Sequence, residues 1–337
     1  MTRVVISDPT LRDGSHAIRH QLTTAQISSY CAAAEESGMP IVEVGHGNGI
    51  GASSLQLGES LLSDREMLQT ARGKLLNSKL GIHIIPGFAT IKRDLSMAID
   101  CGVDVIRVGC HATEADITCR HISYARQRGR EVYGVLMMSH MAAPDKLLEE
   151  SRKMESYGAE AVILMDSAGA FLPNDVKQRI SLLNEGLGIS VGFHAHNNLG
   201  LAIANSIAAV ESGASIIDGT ARGFGAGAGN AQLEVLVAVF EKLNYSTGID
   251  LYKVMDAAEY AEKEILEVIP FVKSTSIVSG LAGVFSGFAI HVNRVASQYG
   301  VDPRDIFFEL GRRKVVAGQE DLIIEVATEL AGEKDKG

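Results

Sequence analysis

The chain has 337 residues, 46% hydrophobic and 21% charged, which is enough apolar mass for one large α/β domain or for two domains. A net charge of −10, only 5% aromatic residues and no tryptophan argue against a nucleic-acid surface built from basic stripes and stacking rings. A small anionic ligand, which needs only a local arginine, stays compatible with this balance. No stretch approaches the roughly 18 uninterrupted apolar residues of a membrane span, and MTRVVISD lacks a leader pattern, so neither a span nor a signal peptide is expected. Four cysteines (Cys31, Cys101, Cys110 and Cys119) without CxxC spacing suit reduced thiols in a cytoplasmic protein.

In chain order, VVIS (4–7) predicts a first strand, followed by the dense polar stretch DPTLRDGSHAIRHQ (8–21). TTAQISSYCAAAEESG then reads as a helix that ends at Gly38 before the apolar run MPIVEV. The same sequence of helix end, glycine and apolar strand recurs at Gly102, Gly158 and Gly213, in AIDCGVDVIRV, MESYGAEAVIL and AVESGASIIDG. Between these repeats lie LGIHII (80–85), EVYGVLMM (131–138) and SVGFHAH (190–196), which completes eight strands with a period of about 28 residues, the length of one βα unit. Strands apolar nearly throughout indicate a parallel sheet covered on both faces. Eight such units imply a (β/α)8 barrel, with a doubly wound open sheet as the alternative. NAQLEVLVAVFEKLN would be the eighth helix, and the rest reads as helices. The expected division is therefore a catalytic barrel over 1–250 and a helical C-terminal subdomain over 251–337, with a frayed EKDKG tail.

In such a barrel, chemistry gathers at the C-terminal ends of the strands. The stretch after the first strand puts Arg12, Asp13 and His16 there. FHAHNN ends the seventh, where His194 and His196, two residues apart, point to the same side of an extended chain. Two imidazoles and the Asp13 carboxylate make a divalent-metal site with open positions; the alternatives are two hydrogen-bonded histidines and a loop-capping aspartate. His46 in GHGNG and His111 in GCHATEAD either line the pocket or satisfy loop carbonyls. His20, His83, His140 and His291 carry no assigned role. GFGAGAGN (223–230) either cradles a phosphate or packs backbone closely around the barrel mouth.

LRDG with a nearby histidine, HAHNN and GAGAGN together resemble the DRE-TIM metallolyases. Within that group IVEVGHGNGIGASS, TEADI, LMMSHM, DSAGA, HAHNNLGLAIANSI and LGRRKVVAGQEDLI are most similar to the 4-hydroxy-2-oxovalerate aldolase family, pyruvate class II aldolases of meta-cleavage pathways in aromatic hydrocarbon catabolism. The resemblance implies a divalent ion, usually Mn2+ with Mg2+ or Co2+ as alternatives, held by Asp13, His194 and His196. It implies catalysis by Arg12, which would stabilise an enolate, and by His16, which would take the proton of the substrate's 4-hydroxyl. Arg12, Ser167 and His194 would bind the substrate, and the helical C-terminal part would dock an acylating aldehyde dehydrogenase.

Two positions depart from the family pattern. GVFSG puts Phe285 where the family carries a tyrosine proton donor, and HGNG puts Asn48 where it carries an acid. These departures keep two alternatives in view: a related enzyme that passes its enolate to a different acceptor, including an acyl-CoA, and a catalytically weak dehydrogenase-binding subunit.

Overall fold

Each of the eight apolar runs forms a parallel strand in the computed structural model, which describes residues 2–316 and 318–334. The strands are β1 (Val5–Leu11), β2 (Ile41–Val44), β3 (Lys79–Ile84), β4 (Val105–His111), β5 (Glu131–Met137), β6 (Ala161–Asp166), β7 (Ser190–Ala195) and β8 (Ile216–Asp218). They close into a barrel in sequence order, with β8 returning to β1 through the pairs Val5↔Ile216 and Ser7↔Asp218. Closure removes both sheet edges and with them the open-sheet alternative.

Helices α1 (Thr24–Ser37), α2 (Asp64–Arg72), α3 (Ser96–Asp100), α4 (Cys119–Gln127), α5 (Pro144–Tyr157), α6 (Pro173–Gly186), α7 (Ala202–Glu211) and α8 (Leu233–Lys242) follow the strands. The recurring glycine has a backbone cause. Gly38 (φ 78°) and Gly158 (φ 107°) each end a helix in the left-handed region, where a side chain is strained, and turn the chain into the next strand. At its other end α1 starts on a capping box, Gln26 N–H donating to Thr23 Oγ1 and Thr23 N–H to Gln26 Oε1.

Strand alternation sorts the side chains into two sets. Ile41, Val105, Tyr133, Ile163 and Ile216 pack together inside the barrel, while Ile6, Val42, Ile106, Val162 and Ile217 join the larger core between barrel and helices. A third core lies in the C-terminal region, where Val278 of α10 (Ser274–Ala282), Val292 of α11 (Ala289–Tyr299), Ile306 and Phe307 of α12 (Pro303–Arg312) and Val326 of α13 (Asp321–Lys334) pack with Val284 and Phe288 from the segment between α10 and α11. The preceding helix α9 (Leu251–Glu264) packs on α1 and buries Val254, Ala258 and Ala261 in the barrel's outer core. The last three residues of the EKDKG tail lie outside the described residues.

β1 runs four residues beyond the expected VVIS, and the extension redirects the polar segment after it. Asp8 pairs with Val42, but Leu11 pairs with Val44, so β1 carries one residue more than its partner over this span. Such a bulge bends the strand at the barrel rim. The chain then enters a tight helical turn, Asp13–Ile18, with Arg12 just before it.

Candidate metal centre and active site

The bulge and turn bring Arg12, Asp13 and His16 to the same end of the barrel as the histidines that close β7. Ligand atoms of Asp13, His194 and His196 all lie within 4.8 Å of one another, and the three residues are buried. The imidazole rings of His194 and His196 are 5.0 Å apart. β7 and β1 are separated only by β8, which is why residues 13 and 194 can meet.

The donor set fits a divalent cation. His194 Nδ1 lies 2.8 Å from Asp218 Oδ2; the carboxylate accepts, so Nδ1 carries the proton and the Nε2 lone pair is free. That Nε2 and His196 Nδ1 are buried with no hydrogen-bond partner, a costly arrangement unless another group takes them. One carboxylate and two imidazoles, with room for oxygen ligands from substrate or water, are the chemistry of first-row divalent ions.

Electrostatics hold the carboxylate ready. Burial opposes ionisation of Asp13, but the Arg12 guanidinium and His196, His194 and His16 outweigh it and hold the group well below the usual carboxylate range. Arg12 Nη1 lies 3.0 Å from Asp13 Oδ1, and Asn230 Nδ2 donates to Asp13 Oδ2 at 2.6 Å. Burial pushes His196 down to about 4, so its imidazole is neutral at pH 7.

Arg12 is fixed from behind. Its Nε donates to Glu43 Oε2 at 3.1 Å and its Nη1 to the Gly47 carbonyl at 3.3 Å, while Nη2 is buried and unpartnered. His16 lines a cavity of about 390 Å³ at the barrel mouth together with Asn48, Ser167, Met138, Phe285 and His291. Burial, reinforced by Arg12, moves its pKa below the ordinary value, against the pull of Asp13 and the Gly47 carbonyl; the ring is a neutral base near pH 7. Ser167 follows β6, its Oγ accepting from Met138 N–H at 2.9 Å, which leaves the hydroxyl proton for a ligand.

Phe285 reaches this cavity from the C-terminal region, edge-on to Phe288 with ring centres 5.7 Å apart, and its ring has no dissociable proton. Asn48 lines the cavity while its N–H donates to His46 Nδ1 at 3.1 Å. His46 itself is a loop element, its Nε2 against the Gly58 carbonyl at 3.0 Å and its ring stacked on His20 at 3.6 Å. His111 and His291 line the cavity wall, His140 Nε2 binds the Gly283 carbonyl at 2.8 Å, and His83 is buried inside the barrel. Of the two readings of GFGAGAGN the structure favours close packing. A Cβ on Gly225 would stand 2.5 Å from Asn230 Nδ2, and Ala228 N–H donates to Asn198 Oδ1 at 3.0 Å rather than facing an open anion site.

Sequence reasoning passed over Glu43, Arg107, Asp218 and Asn230. The first three each interrupt an apolar strand run (IVEV, VIRV, IIDG), and a charge inside a barrel strand must find a partner there. Asn230 closes the glycine loop, and its Oδ1 is buried and unpartnered beside Asp13.

Residues 3–260 match the HMGL-like family and residues 270–332 the DmpG-like communication domain. The chain is 64% identical to 4-hydroxy-2-oxovalerate aldolase of Spirochaeta aurantia, over 97% of its length and 96% of the relative's. Against the enzyme of the same name from Pectobacterium atrosepticum it is 63% identical, over 98% and 96%. The carboxyl transferase domain of Rhizobium etli pyruvate carboxylase superposes with a TM-score of 0.81 at 15% identity, covering 98% of this chain and 60% of that one, a likeness of fold. By near full-length identity and by both family matches, the chain belongs to the 4-hydroxy-2-oxovalerate aldolase family of HMGL-like (β/α)8-barrel carbon–carbon lyases.

Proposed function

We infer that the chain cleaves a 4-hydroxy-2-oxoacid such as 4-hydroxy-2-oxovalerate to pyruvate and a short aldehyde. The observation that carries this reading is one arrangement: a buried carboxylate–imidazole–imidazole cluster, with an unpartnered arginine N–H beside it and a neutral histidine facing the cavity. Asp13, His194 and His196 would hold a divalent ion, Mn2+ in our proposal, which when bound would supply Lewis-acid chemistry at the substrate's 2-oxo group. His16 accepts the proton of the 4-hydroxyl as the C3–C4 bond breaks, so that C4 leaves as the aldehyde and the bonding pair passes into the 2-oxo group. Arg12 Nη2 donates to the oxygen on which that negative charge grows; the guanidinium is already held by Glu43 and Gly47, so little reorganisation is needed. Ser167 and His194 border the pyruvate half. Water delivers a proton to C3 to complete pyruvate, and His16 returns to solvent the proton it took from the 4-hydroxyl, so the protons balance.

We further propose that residues 251–337 serve partner docking, through the communication-domain portion beyond α9, and that the partner is an acylating aldehyde dehydrogenase that takes up the aldehyde. Exposed Val268, Phe271, Ile277 and Leu281 give this region the apolar surface such an interface uses. No helix among the described residues is long and apolar enough to cross a membrane, and the four cysteines are unbridged, in keeping with a cytoplasmic enzyme.

The test is direct. Purified protein with Mn2+ releases pyruvate from 4-hydroxy-2-oxovalerate, and Asp13→Ala and His194→Ala abolish the release. Activity that survives chelation and both substitutions rules out this mechanism.

A further inference from the structure

Behind the site lies a buried cation, Arg107, that the chemistry above leaves unused. Arg107 projects from β4 into the barrel and is 1% exposed. One arm, Nη1, pairs with Glu43 Oε1 on β2; the other, Nη2, pairs with Asp218 Oδ2 on β8 at 2.7 Å. In an eight-stranded barrel β4 and β8 face each other across the axis, so this side chain spans the interior. Gly81 on β3 clears the way: a Cβ there would stand 3.1 Å from Glu43 Cγ.

Each carboxylate has a second client at the active site. Asp218 Oδ2 also accepts from His194 Nδ1 at 2.8 Å, while Oδ1 is buried and unpartnered. Glu43 Oε2 accepts from Arg12 Nε at 3.1 Å, and Oε1 also accepts from Ser7 Oγ at 3.1 Å. Burial opposes ionisation of Glu43, yet Arg107 and Arg12 hold its pKa down at about 2.

Stability does not account for such a group. A buried ion network can be replaced by well-packed apolar residues at little or no cost, whereas removing one member leaves its partners as uncompensated charges. What a forked guanidinium gives that Leu or Met cannot is two fixed directions at once. We propose that Arg107 is a positioning residue that joins the two halves of the active site: through Asp218 it sets the tautomer and tilt of His194 for the metal, and through Glu43 it aims Arg12 at the developing oxyanion. The proposal rests on the metal-dependent reading given above. Without Arg107, Asp218 can turn to present its free oxygen, and Glu43 can turn toward Ser7, so both halves of the site lose their reference.

The experiment uses the full chain, stripped of metal and then titrated with Mn2+ while free Mn2+ is followed by electron paramagnetic resonance. Deuterium exchange into the methyl group of pyruvate at saturating Mn2+ gives the second readout. Arg107→Lys keeps the charge but loses the fork. It is expected to bind Mn2+ about 10–100-fold more weakly and to lower kcat for exchange by about 10-fold or more, with the melting temperature of the metal-free protein nearly unchanged. A folded variant in which either quantity stays within about threefold of wild type overturns the linkage. If Arg107→Lys does not fold, the two arms are tested singly. Asp218→Asn must weaken Mn2+ binding by about 10-fold and Glu43→Gln must lower kcat for exchange at saturating Mn2+; a wild-type value in either overturns the proposal. Failure of the underlying reading looks different: wild type would show no single Mn2+ site, or Asp13→Ala would bind as tightly, and the linkage would fall with it.

Discussion

Ser286 donates twice to the carbonyl oxygen of Ser167, from its backbone N–H at 3.1 Å and from its hydroxyl at 2.8 Å. The same hydroxyl accepts from Asn198 Nδ2 at 2.8 Å, so the C-terminal region is tied to the ends of β6 and β7 at the residue next to Phe285. This tie holds the wall that Phe285 contributes to the cavity. Ser286→Ala removes a buried hydroxyl and one partner of Asn198, which costs about 1–2 kcal/mol. The expected outcome is a lower melting temperature and a rise in KM for the 2-oxoacid larger than the fall in kcat, because the Asp13, His194 and His196 cluster is untouched. Steady-state kinetics beside a thermal melt checks both; an unchanged KM removes the tie from substrate binding.

Phe285 sets the second prediction. Its ring borders the same cavity as His16 and Ser167 but offers no proton to C3 of the nascent pyruvate. A positioned general acid is worth about 10²-fold or more over water. Phe285→Tyr adds a hydroxyl at the ring tip and should raise kcat for pyruvate release by about 10²-fold if protonation limits turnover, with a matching rise in methyl deuterium exchange. A tyrosine variant no faster than wild type in both assays means that protonation already proceeds by another route.

The stacked pair His20 and His46, beside the loop that supports Arg12 and His16, sets the third prediction. Burial, with the neighbouring histidines, lowers His20 to about 2 and His46 to about 4, below the ordinary 6.5. A depressed histidine favours the neutral folded form. Its contribution is therefore complete above pH 6.5, declines as pH falls below that value, and for His46 is fully lost by about 4. At about 1.4 kcal/mol per pKa unit the His46 contribution reaches about 3 kcal/mol. Wild type should lose thermal stability steeply between pH 6.5 and 4, and His46→Gln should flatten that slope while lowering stability at pH 7.5. Parallel wild-type and variant melting curves across this range would assign the acid sensitivity elsewhere.

The grouping of Asp13 with His194 and His196 was legible because two simple periods met. A two-residue strand period put the histidines on one side, and a repeat of about 28 residues put the first and seventh strands near each other. Glu43, Arg107 and Asp218 were not legible in the same way. Each is one charge in a strand run, and only barrel closure reveals that β2, β4 and β8 aim them at a common centre. Strand β1 was read four residues short because DPTL looks like a loop; Asp8 and Thr10 instead sit within the strand, where Asp8 Oδ2 accepts from Tyr30 Oη at 2.7 Å. Glycines that let backbone approach a ligand and glycines that let backbone approach protein have the same spelling, so GFGAGAGN stayed ambiguous until its neighbours were known.

That loop carries the last prediction. Gly225 has no Cβ, and one placed there would stand 2.5 Å from Asn230 Nδ2 and 2.8 Å from Asp13 Oδ2, both under the closest approach of real side chains. Neither neighbour is a flexible chain end: Asn230 is held by its bonds to Asp13 and to the Phe224 carbonyl at 3.2 Å, and Asp13 by Arg12. The methyl of Gly225→Ala must therefore displace either the Asn230 amide or the Asp13 carboxylate. Breaking the 2.6 Å bond between them releases one oxygen of the proposed metal ligand. The variant should bind Mn2+ about 10-fold or more weakly, in the range seen when an outer partner of a metal ligand is lost. His16 and the cavity are undisturbed, so excess Mn2+ should restore much of kcat. A Gly225→Ala protein with wild-type Mn2+ affinity would show that the loop, not the ligand, absorbs the methyl. One whose activity excess Mn2+ cannot restore would place the damage at Arg12 instead.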